Sequence, residues 1–90
     1  MNVVYTLVQQ EELTLVHNHK EYTRAQLLEN DDKELLTIFD ELEASGNIYY
    51  PDYRVELGGK RVLVGAHACR GNDDITIDLI KGTMKIRRLN

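Results

Sequence analysis

All three histidines and the single cysteine of this 90-residue chain fall into two pairs of the same spacing, His17-Asn18-His19 and His67-Ala68-Cys69. Imidazole nitrogen and thiolate sulfur are donors that tetrahedral zinc selects. On a strand, residues i and i+2 point to one face, so two neighbouring strand ends would offer His17, His19, His67 and Cys69 as four ligands. Neither pair has an established metal-ligand spacing. The simpler expectation places the histidines at a strand end and Cys69 as a small buried apolar residue, with no metal or other cofactor. Cys69 beside His67 also has the composition of a nucleophile and its base, but alternate positions on one strand do not create the hydrogen bond such a pair needs. Ser45 is the only serine and sits where a helix should end. Gly58-Gly59-Lys60 suits a hairpin turn better than a phosphate cradle. The acidic pairs Asp31/Asp32 and Asp73/Asp74 suit caps and loop solvation. These features predict a protein that is not an enzyme.

Charge is the second source of chemistry, and it is unevenly placed. Residues 1–45 hold three Lys/Arg against ten Asp/Glu, whereas residues 46–90 hold eight against five. The segment from Glu29 to Glu43 concentrates carboxylates around one lysine, Lys33. Such a surface attracts a basic partner and repels a phosphate backbone.

The elements that must position these groups follow from periodicity and punctuation. Val3-Val4-Tyr5-Thr6-Leu7-Val8 and the stretch 13–18 are rich in strand formers and predict a hairpin, with Val8 facing Leu13 and Tyr5 facing Val16. A helix through 4–18 would place Glu11 and Glu12 on its apolar face, so the strands are preferred. Thr23 and Gln26 have capping-box spacing and predict a helix over 24–29. A second helix is predicted over 32–45, with Asp31 and Glu34 at capping-box spacing. Leu35, Ile38, Phe39 and Leu42 mark its buried side, and Gly46 its left-handed stop.

Two hairpins complete the pattern. One turns at Gly58-Gly59 and sets Glu56 opposite Arg61, Val55 opposite Val62 and Tyr53 opposite Val64. The other turns at Lys81-Gly82 and sets Leu79 opposite Met84, Asp78 opposite Lys85 and Ile77 opposite Ile86. Pro51 should end or edge a strand. The expected fold is α+β in a single domain over residues 1–90: an N-terminal hairpin, two short helices, then two antiparallel hairpins. A core this small favours a homodimer. One cysteine and no signal peptide or membrane span point to the cytoplasm.

The run Thr23-Arg-Ala-Gln-Leu-Leu followed by Leu35 through Tyr50, with Leu35, Ile38, Phe39, Leu42, Gly46 and Ile48 in register, resembles the second and third helices of winged-helix proteins. The resemblance covers about half of the chain and implies that residues 53–64 form the wing. It also implies DNA contacts from the third helix and the wing. The third-helix position instead exposes Thr37, Asp40, Glu41 and Ala44, flanked by Glu34 and Glu43. Two functions are therefore expected. The preferred one is a non-enzymatic protein-interaction module, a regulator or inhibitor, meeting a basic protein surface through Glu34, Asp40 and Glu41, with Tyr49 and Tyr50 as exposed anchors. The alternative is a winged-helix DNA-binding regulator using Arg54, Lys60, Arg61, Arg87 and Arg88.

Overall fold

A computed structural model describes residues 5–89 of the chain. The elements are β1 (Thr6–Gln9), β2 (Leu13–His17), β3 (Lys20–Thr23), α1 (Arg24–Glu29), α2 (Lys33–Ala44), β4 (Ile48–Leu57), β5 (Lys60–Arg70), β6 (Asp73–Asp78) and β7 (Thr83–Arg88). All seven strands join one sheet in the order β3-β2-β1-β4-β5-β6-β7. Every neighbouring pair is antiparallel except β1 and β4, which run parallel through Leu7↔Ile48 and Val8↔Tyr49. Strands take 54% of the structure and helices 21%.

This overturns the expected architecture of separate hairpins around two helices, and with it the winged-helix resemblance. The leucine-rich face of α2 packs on a sheet rather than on another helix of a three-helix core. Phe39 of α2 and Leu27 of α1 are buried against Leu7 of β1 and Leu15 of β2, with Leu35, Leu36, Ile38 and Leu42 around them. The would-be wing, β4–β5, is not an appendage but the middle of the sheet.

Local chemistry explains where the helices begin and end. Gln26 N–H donates to Thr23 Oγ1 at 3.2 Å and Thr23 N–H donates to Gln26 Oε1 at 2.9 Å, the reciprocal box that opens α1. At its end, Asp31 N–H donates to the Leu28 carbonyl and Asp32 N–H to that of Leu27. This is a Schellman motif, with Asp31 in the left-handed region at φ 54°. Asp32, rather than Asp31, then caps α2 by accepting from Leu35 N–H at 3.2 Å. Gly46, at φ 71°, closes α2 with a second Schellman pair, Gly46 N–H to Glu43 and Asn47 N–H to Leu42.

Alternation along β1 and β2 feeds two cores. Leu7 and Leu15 face the helices, while Val8 and Val16 face a second cluster with Tyr49, Leu63, Ala66, Ala68, Ile75 and Ile77. The sheet coils around this second cluster. Arg54 on β4 reaches Glu21 on β3, three strands away in the order, at 2.9 and 3.0 Å, and Gln10 also bonds to both.

Several registers differ from expectation. Val8 faces Thr14, and Val16 faces Thr6 rather than Tyr5; Val3 and Val4 lie outside the described residues. Strand β3 was not foreseen, because Lys20-Glu21-Tyr22-Thr23 is short and polar. It is joined to β2 by a two-residue turn at Asn18 and His19, both at positive φ. Glu56↔Arg61 and Val55↔Val62 stand as expected, but a bulge over Pro51–Arg54 pairs Tyr53 with Gly65 instead of Val64. In the last hairpin Asp78 faces Thr83, Ile77 faces Met84 and Ile75 faces Ile86. The turn is longer because Asp78 Oδ1 accepts the backbone N–H groups of Ile80 and Lys81 at 2.9 and 3.0 Å.

Candidate functional site

The β4–β7 region presents a broad face that the helices do not cover, and the bulge decides what it displays. Tyr50 faces His67 across the β4–β5 ladder, their ring centroids 6.2 Å apart. Without a bulge, Tyr53 would point to the other side, three residues on. With it, the Tyr53 ring lies over Gly65, where a Cβ would come within 2.6 Å of Tyr53 Cε1. Gly65 and His67 are alternate residues of β5, so Tyr50, His67 and Tyr53 share one face. Tyr50 is 51% exposed and Tyr53 59%.

Polar groups surround these rings. Asp52, inside the bulge, sits on His67 Nδ1. Across β5, β6 and β7 the rows are Gly65–Asp78–Thr83, His67–Thr76–Lys85 and Cys69–Asp74–Arg87. A concavity of about 290 Å³ lies beside Tyr53, lined by Asp52, Gly65, Asp78, Lys81 and Lys85 among others. The carboxylates of this face are engaged. Asp52 meets His67, Asp74 lies 3.4 Å from Arg87 Nη2, and Asp78 holds the turn. The Lys81 and Ile80 N–H groups keep Asp78 below the usual carboxylate range.

The structure separates the proposed metal ligands. Tyr5 stacks on His17 at 4.4 Å, and His17 lies at the β2 end facing Lys20. His67 and Cys69 lie on β5, beyond β1 and β4 in the sheet order. No group of three or more His, Cys, Asp or Glu among the described residues is placed to hold a metal ion. Cys69 is exposed rather than buried, because it lies on the uncovered face, with Sγ 3.9 Å from Asp74 Oδ1. Its contact is with that carboxylate and not with the imidazole, so a thiol–imidazole nucleophile is not assembled.

The acidic surface is also rearranged. Glu34 and Glu41 are exposed on α2. Asp40 is bound by Arg24 of α1 through two hydrogen bonds of 2.9 and 3.1 Å, which hold its carboxyl below the usual range. Tyr49 is only 4% exposed and is no surface anchor. Its side chain points into the second core, where Arg70 covers the ring at 4.8 Å and donates to its hydroxyl at 3.3 Å.

The five basic residues read as a DNA surface do not converge. Arg54 is turned inward onto Glu21 and Gln10. Lys60 and Arg61 lie at the tip of the β4–β5 hairpin, beside His19, Lys20 and Glu29, where β3 and α1 form a groove of about 660 Å³. Arg87 and Arg88 are on the far edge strand, next to Asp74 and Asp73, and alternate between its two faces.

Sequence reasoning missed Tyr53, Lys81 and Lys85 as partners on one face. The available signal was Pro51 inside a strand pattern, a mark of irregular pairing. No helix among the described residues is long and apolar enough to cross a membrane. No family model, curated protein or solved structure matches the chain.

Proposed function

We propose that the chain is a small non-enzymatic protein-interaction module, a regulator or inhibitor, whose helix layer docks on a basic surface of another protein. One observation carries this reading. Glu29, Asp31, Glu34 and Glu41 are exposed on or beside the two helices, and none has a cation within ion-pair distance among the described residues. Arg24 is committed to Asp40, which leaves Lys33 as the only other cation of α1 and α2. Unpaired carboxylates on a rigid helix layer steer a cationic partner and repel an anionic one.

The test follows from the Arg24–Asp40 pair. Reversing Asp40 would also untie α1 from α2, so the informative variant is Glu34→Lys with Glu41→Lys. Capture experiments run side by side with the wild-type and this variant should yield a basic protein retained by the wild-type alone and released by salt. Equal retention by both would remove the helix face as the docking surface.

A further inference from the structure

We propose that the uncovered face of β4–β7, which adjoins the helix-covered part of the same sheet, is a platform for single-stranded nucleic acid. Tyr50 and Tyr53 set two exposed aromatic rings on one sheet face. A tyrosine offers an apolar ring with a polar tip, and nothing among the described residues covers these two. The bulge over Pro51–Arg54 is what brings Tyr53 round to the side of Tyr50. Gly65 is what leaves the Tyr53 ring room to lie flat on the sheet. The two rings are anchored over Gly65 and beside His67, positions about 7 Å apart along β5. Splayed bases of an extended single strand can stack at such a step, whereas the bases of a duplex are enclosed by their own stacking.

The cations of this face lie on its β6–β7 side. Asp52 meets His67 and Asp74 meets Arg87, while Asp78, ionised and held by the β6–β7 turn, is attracted by Lys81. Lys85 lies in the His67–Thr76 row with no anionic partner within ion-pair distance among the described residues, and Lys81 lines the adjoining concavity. Both ammonium groups can therefore follow a phosphate backbone without losing an internal bond. The net charge of −4 does not decide the matter. The helices cover β1 and β2, and Lys85 on β7 lies four strand spacings beyond β1, about 19 Å along the sheet and further than the screening length of about 8 Å, whereas Tyr50 and Tyr53 on β4 lie one spacing from β1.

Fluorescence anisotropy with labelled 20-nucleotide oligo(dU) and oligo(U), beside a duplex of random sequence, tests the assignment at 50 mM salt and above. Binding of at least one single strand, ten-fold or more tighter than the duplex, is expected. Preference between the two strands tells deoxyribose from ribose as the natural sugar. Tyr50→Ala with Tyr53→Ala should weaken binding at least ten-fold with an unchanged melting temperature, and the double Phe variant should bind within three-fold of wild-type. Lys85→Ala should lower the slope of log affinity against log salt by about 0.7. Binding of neither strand at 50 mM salt, equal binding of the duplex, or a double Ala variant within two-fold of wild-type would overturn the platform.

Discussion

Arg54 clasps both carboxylate oxygens of Glu21, at 2.9 and 3.0 Å, and so ties the middle of β4 to the edge strand β3. Gln10 completes the knot, donating to Glu21 at 2.7 Å and to Thr14 at 2.9 Å. These bonds, the Arg54 guanidinium foremost, hold the Glu21 carboxyl below its ordinary value of 4.5. A carboxyl lowered on folding adds stability that is complete above its unfolded value and disappears as pH falls through its folded one. Glu21→Gln should therefore cost about 1 kcal/mol at pH 7, discounted for the partial exposure of both partners. The difference from wild-type should shrink below about pH 4.5, as denaturant midpoints measured from pH 7 to pH 3 will show.

Asp31 is a non-glycine residue in the left-handed region between the two helices. Its Schellman bonds are made by backbone groups alone, so glycine can keep them and relieve the strain. Asp31→Gly should raise stability by about 0.5–1 kcal/mol, read as a melting temperature a few degrees higher.

Phe39 is the largest fully buried side chain and joins α2 to β1, β2 and α1. Phe39→Ala should cost about 3–5 kcal/mol. That is a large part of what a domain of this size possesses. Chemical denaturation should show a much lower midpoint, and far-UV circular dichroism should show helix loss ahead of strand loss.

Gly65→Ala would drive a methyl group into the Tyr53 ring. The ring is exposed at its far side and can swing away, so the stability cost should stay near 1 kcal/mol. The Tyr53 ring resonances should nonetheless move markedly in an NMR spectrum, while those of Tyr22 and Tyr49 stay in place.

Cys69 lies exposed on the uncovered face. Its thiol should react fully with an aromatic disulfide reagent in the native protein, at a rate that denaturant raises only slightly. Slow reaction limited by unfolding would contradict the exposure.

Local chemistry was legible wherever a side chain bonds its own neighbourhood. Thr23 and Gln26 announced α1, the leucine spacing and Gly46 announced α2, and paired glycines announced the Glu56↔Arg61 turn. Registers failed where the pattern is degenerate. Shifting β6 against β7 by two residues keeps every side chain on its face, so alternation cannot distinguish Ile77↔Met84 from Leu79↔Met84. The deciding interaction was the carboxylate of Asp78 bonding backbone two and three residues on. Tyr49 and Tyr50 are identical in sequence terms, and only the parallel pairing with β1 settles which is buried. That pairing links segments on either side of the helices, and nothing local encodes it. The face that unites Tyr50, Tyr53 and Lys85 depends on a bulge whose only written trace is Pro51.

The short parallel seam between β1 and β4 also shapes how the chain reaches its native state. The β1–β2–β3 pairings are between strands near in sequence, and so are those of the antiparallel meander from β4 to β7. Joining Leu7 to Ile48 requires closing the loop that contains both helices. Each half can gain structure from local pairing, and their meeting along two residue pairs, the shared core and the Arg54–Glu21 bonds is the step expected to limit the folding rate. Mutations at Val8, Tyr49 or Ala68 should slow folding, whereas those within either half should chiefly hasten unfolding.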